Sequence, residues 1–273
     1  MEKGNQKIHG GGHMISAIKA ACLGLKLAFA ENMAYRSSFF ISMFIMFITE
    51  FFFPIVTLVI YNTGASFPGW TLYELLMVQG TFILAKGIAF PLFIGLFFHV
   101  MWLVRSGDLD IFLLRPRPLL FSLIISSFNI HDMSKFLSGA VIIIYAAVHL
   151  PGFSIYRWLW FVLLLLLSVA LIFSFILLMV VYTMRFIGSD KVLGLIDPIT
   201  QYGLYPRSIY SKPVKIMITN IIPVAMIGFF PASILLGKDS EGFMYALLAT
   251  LLFMTVSIFL WIRSSKKYTS AGG

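Results

Sequence analysis

Glu50 and Lys86 are charges set inside long apolar stretches of this chain. An acid and an amine in such surroundings have a small set of uses. They can neutralise each other as a structural ion pair, or form a polar patch that lines a solute path or gate. Glu50 can also simply carry a proton. A second concentration of charge runs from Arg105 to Pro118. There Asp108 and Asp110 come first, Ile111, Phe112, Leu113 and Leu114 follow, and Arg115, Pro116 and Pro118 close the stretch. Acids suit the positive end of a short helix, and the prolines stop it. A surface helix with an exposed apolar face is what docking into a partner's groove requires. The plainer reading is a loop anchored at the membrane interface.

Other chemistry is missing. The sequence has no G-x-x-x-x-G-K-[ST] phosphate loop, no H-E-x-x-H and no G-x-S-x-G. His9, His13, His99, His131 and His149 are scattered, and Cys22 stands alone. No catalytic residues, no metal ligands and no cofactor of its own are therefore expected of this chain.

The elements that must carry these groups are membrane helices. Of 273 residues, 60% are hydrophobic and 11% charged, against roughly 25% charged in soluble domains. A crossing of the hydrocarbon core needs about 20 apolar residues. Six runs qualify, near Ser37–Asn62, Leu75–Leu103, Phe136–Leu150, Trp158–Met184, Ile216–Leu236 and Gly242–Ile262. At about 1.5 Å per residue Glu50 and Lys86 both fall near mid-membrane, and Pro54 and Pro91 are expected to bend the first two spans near that layer. Pro223 and Pro231 mark the fifth as kinked or re-entrant. The fold class is thus an all-α polytopic membrane protein with six transmembrane helices. Residues 1–13 read as a flexible tail and 14–36 as an amphipathic helix on the membrane surface, or an extension of the first span. Residues 37–262 form the membrane domain and 263–273 a tail. The first apolar run is too long for a cleavable signal peptide.

Basic residues orient the spans. Assigning loops by six crossings puts 17 of the 20 lysines and arginines on one face and only Arg157 and Lys238 on the other, with Lys86 inside a span. Both termini are then cytoplasmic, by the positive-inside rule. Placement beside apolar runs also explains the net charge of +9 without nucleic acid.

These residues resemble a family. Gly107-Asp108-Leu109-Asp110, then Phe112-Leu113-Leu114-Arg115-Pro116, is similar to the G-[DE]-L-D-x-F-L-L-R-P signature of one branch of ABC-2-type exporter permeases. Ala34-Tyr35-Arg36, Tyr205-Pro206, Ile209-Tyr210, Pro213, Pro223, Phe230-Pro231-Ala232 and Leu235-Leu236-Gly237 fit the same branch. The resemblance implies a permease subunit in a prokaryotic plasma membrane, paired with a second permease, more often a different one. It implies separate ABC ATPase subunits that bind ATP and Mg and engage Gly107 through Pro116. It further implies a segment around Pro223 and Pro231 that dips back from the outer face. Transport of a drug, lipid or peptide-like substrate, hydrophobic or amphipathic, is the expected function. An ion-coupled carrier using Glu50 and Lys86, or a membrane scaffold that moves nothing, are the alternatives.

Overall fold

A computed structural model describes Lys26, Ala30 and residues 35–186, 190–238 and 241–268. The expected tail over 1–13 and most of the surface helix over 14–36 lie outside the described residues. Every regular element among the described residues is helical. Among the described residues, five stretches are long and apolar enough to cross a membrane: Arg36–Asn62, Leu72–Ser106, Ile130–Val148, Ile155–Thr183 and Phe243–Lys267.

The first stretch is two helices, α1 (Arg36–Thr49) and α2 (Phe52–Asn62). Proline at position 54 has no N–H to give the Glu50 carbonyl, and its ring crowds that oxygen. The helix therefore breaks at Glu50–Phe51. Ser138 Oγ donates to the Phe47 carbonyl at 3.1 Å beside the break, satisfying backbone that the hydrocarbon would leave bare.

α3 (Leu72–Ser106) is the central mast. Thr71 and Glu74 form a capping box at its start. Gly107, with φ of 80°, ends it in a left-handed turn that a side chain would strain. At about 52 Å it exceeds the hydrocarbon core of about 30 Å, so its last turns project beyond. Across it lies α6 (Met133–Val148). Gly87 faces the backbone of Phe136, and Gly139 faces that of Leu84. Small residues let the two backbones touch, the usual basis of helix association in lipid.

α7 (Ile155–Thr183) and α11 (Phe243–Lys267) pack on the other side. One end of the bundle is marked by Trp70. There Lys238 Nζ donates to Glu74 Oε2 at 2.6 Å and to the Gly69 carbonyl at 2.7 Å, and His149 stacks on Tyr73 at 4.4 Å. The opposite end carries Arg105. Arg263, Lys266 and Lys267 belong to the last turns of α11 there, not to a separate tail.

The fifth run, Ile216–Leu236, expected to be kinked or re-entrant, takes the re-entrant form and not that of a full crossing. It is a hairpin that enters and leaves at the Trp70 end. α9 (Lys212–Ile216) and a π-helical turn, Met217–Ile221, lead inward. The chain reverses around Pro223, and α10 (Phe229–Leu236) returns. Its tip is fixed near mid-bundle, where Ser168 Oγ donates to the Met226 carbonyl at 2.7 Å. Pro223 is the physical cause: a missing N–H and a fixed φ end the inward helix.

The passage between the two ends is made earlier, from α8 (Asp190–Gln201) through Arg207. Asp197 reaches Lys86, Gly203 touches Phe82, Tyr205 meets Phe67 at 5.9 Å, and Arg207 pairs with Glu241 at 3.5 Å. Arg207, and with it Lys212 and Lys215, therefore belong to the Trp70 end. Moving these three of the seventeen, and taking Lys135 into the layer of Lys86, leaves thirteen basic residues of the sequence-based assignment against five, a bias of the same sign.

Candidate functional site

The structure gathers five charged side chains around one cavity of about 510 Å³. Glu50 comes from the break between α1 and α2, and Lys86 from α3. Asp132 and Lys135 come from the start of α6, and Asp197 from α8. Counted from the helix ends at Trp70, Glu50, Lys86 and Lys135 lie about 18, 21 and 20 Å along their helices. They share one layer, beyond the middle and toward the Arg105 end.

Glu50 and Lys86 share the cavity, but each takes another partner. Lys86 Nζ donates to Asp197 Oδ1 at 2.9 Å. Its ammonium also lies over the rings of Phe82 and Phe90, at 5.0 and 5.2 Å. Lys135 is in direct contact with Asp132, three residues before it, and only 3.9 Å from Glu50 Oε1. Asn129 Nδ2 donates to the other Asp132 oxygen at 2.7 Å. The Asn129 N–H donates to the Pro91 carbonyl at 2.9 Å, which ties this corner to the mast. The close approach of Ser127 to Gly95 permits that contact.

Sequence reading missed Asp132, Lys135 and Asp197. The i, i+3 spacing of Asp132 and Lys135 at the edge of an apolar run was an available signal. Nothing local distinguished Asp197, because its partner is 111 residues away.

At the Arg105 end, the segment Gly107–Pro116 folds as expected into a short helix, α4 (Leu109–Leu113). Leu109 is fully buried and Phe112 nearly so. The Phe112 ring meets His99 of α3 at 5.5 Å and lies under the Arg115 guanidinium at 3.9 Å. Ile111 and Leu113 face outward, and Leu114 is 86% exposed. Asp108 and Asp110 stand at the helix start. Pro116 and Pro118 separate α4 from α5 (Leu119–Ser126), which runs back along α3. Burial, and then the Asp110 carboxylate, push the Tyr268 hydroxyl above the usual phenol range. The end of α11 and α4 are thus electrostatic neighbours. Among the described residues no three His, Cys, Asp or Glu side chains form a metal-binding group.

Pro223 and Pro231 lie in the hairpin, Pro223 at its turn and Pro231 in the first turn of α10, where a missing N–H costs no helix bond. A multi-pass helical membrane protein with a broken first span, a half-depth hairpin and a charged, half-open cavity has the build of a transport subunit. Residues 44–272 match the family described as ABC-2 family transporter protein, and the chain belongs to that family. It is a membrane subunit for transport, not itself catalytic. No curated protein and no solved structure matches the chain.

Proposed function

We propose that this chain is the permease subunit of an ATP-driven exporter, joined by a second permease and by separate ATPase subunits. One observation carries the coupling. α4 is anchored by Leu109 and Phe112 while Ile111, Leu113 and Leu114 stay exposed beyond the mast. A rigid short helix with an apolar outer face can receive motion from a partner and pass it to α3. Gly107, with its left-handed backbone, sets the corner; Arg115 and Pro116 close it.

The thirteen-to-five basic bias supports a cytoplasmic Arg105 end, the compartment where ATP is available. In this reading the Asp190–Arg207 passage is the sixth crossing, and the Pro223 hairpin enters from outside. The charged cavity is part of the pathway, and its apolar walls suit a hydrophobic or amphipathic substrate. A prokaryotic plasma membrane is the setting. Co-expression with an ATPase subunit tests the assignment. Leu113→Asp with Leu114→Asp is expected to abolish co-purification while the permease stays folded; retained binding sinks the docking role.

The buried charge layer itself favours a second reading, an ion-coupled carrier. It requires uptake or efflux by the purified chain in liposomes without ATP, lost in Glu50→Gln.

A further inference from the structure

The geometry points to an organic cation with an apolar body as the ligand of the Glu50 cavity, held by the Glu50 and Asp197 carboxylates. This rests on reading the cavity as part of the transport pathway. Three carboxylates and two ammonium groups line it, so with all five ionised the excess is one negative charge. The accessible charge has the same sign. The Lys86 and Lys135 side chains are only 10% and 13% exposed, and each already contacts a carboxylate, Asp197 and Asp132 respectively. Glu50 and Asp197 are 21% and 46% exposed. An entering molecule therefore meets carboxylate oxygens before it meets any ammonium.

Glu50 is the least compensated of them. The cation facing it, Lys135, is 3.9 Å away and is committed to Asp132. A carboxylate within the membrane layer is unfavourable until something neutralises it, and a bound cation does so. An anion would find no free ammonium and would be repelled by two acids that are more accessible than either lysine. The remaining walls are apolar and aromatic: Phe53, Phe82, Phe90 and Phe98 lie around the charged layer. The Phe82 ring already faces the Lys86 ammonium and the Phe90 ring those of both Lys86 and Lys135, and such faces attract a ligand cation in the same way. The volume of about 510 Å³ falls within the roughly 300–1,000 Å³ of small-molecule sites.

Two probes of one shape and opposite charge test this: tetraphenylphosphonium and tetraphenylborate. Each is titrated against the purified full chain in nanodiscs of neutral lipid, with empty nanodiscs subtracted. Saturable binding of tetraphenylphosphonium, at least about tenfold tighter than of tetraphenylborate, is expected. Glu50→Gln should weaken the cation about tenfold and leave the anion no weaker. Equal affinity of the wild-type chain for both ions overturns the proposal, as does an unchanged cation affinity in a folded Glu50→Gln protein. Should that variant fail to fold, the wild-type charge preference alone decides. The titration needs neither ATP nor an ATPase. A negative result therefore removes the cation ligand and leaves the exporter reading standing, whereas lost ATPase co-purification bears on the exporter reading alone.

Discussion

Lys86 Nζ lies 2.9 Å from Asp197 Oδ1, and this contact joins the central mast to α8, 111 residues later in the chain. The ammonium is almost buried while the carboxylate, which lines the cavity, is 46% exposed. The pair thus fixes α8 against α3 and forms one wall of the site.

Lys86→Met should leave Asp197 without its cation and cost about 1–2 kcal/mol, less than a fully buried pair because Asp197 is partly solvated. Adding Asp197→Leu should recover much of the loss, since neither charge is then left alone. A double-mutant cycle of apparent melting temperatures checks this. A coupling near zero would show that the two side chains do not depend on each other.

Gly139→Leu and Gly87→Leu should each drive α6 away from α3, because the new side chains meet the backbones of Leu84 and Phe136. Overpacking of this kind costs about 1–3 kcal/mol or more. Loss of monodisperse protein on gel filtration is the expected readout. Unchanged elution and melting would contradict the close crossing.

Within the α4 segment, inner and outer residues should separate cleanly. Leu109→Ala and Phe112→Ala remove buried side chains and should destabilise by about 2–5 kcal/mol. Ile111→Asp and Leu114→Asp change exposed positions and should leave the melting temperature within a few degrees while ATPase binding is lost. Equal destabilisation by both sets would mean that α4 has no free face.

The hairpin makes a topological prediction. In a Cys22→Ser background, Lys212→Cys should react with a membrane-impermeant maleimide on intact cells. Arg115→Cys should react only after permeabilisation. Labelling of both from the same side would refute a hairpin entering from the face opposite α4.

Much of the fold was legible because lipid imposes a simple demand. The runs that became Arg36–Asn62, Leu72–Ser106, Ile155–Thr183 and Phe243–Lys267 stand out by length and hydropathy alone. The turn at Gly107 and the acids-first order before Leu113 likewise announce a short helix. The same logic misjudged 190–238. Asp190–Gln201 carries Asp197 and Gln201 where other helices and the cavity shelter it, so it had no need to be apolar. Ile216–Leu236 is apolar throughout yet turns back at Pro223, because its surroundings at half depth are protein.

The sequence by itself therefore determined the solvent, the main spans, the charge bias and the α4 segment, since each follows from the transfer of local stretches between water and lipid. Only the tertiary structure decided that Lys86 answers to Asp197, that Lys135 stands between Asp132 and Glu50, and that these charges line one cavity. Those choices are pairings between distant segments. Coulomb attraction and the desolvation it offsets act across space, and no local pattern of residues records them.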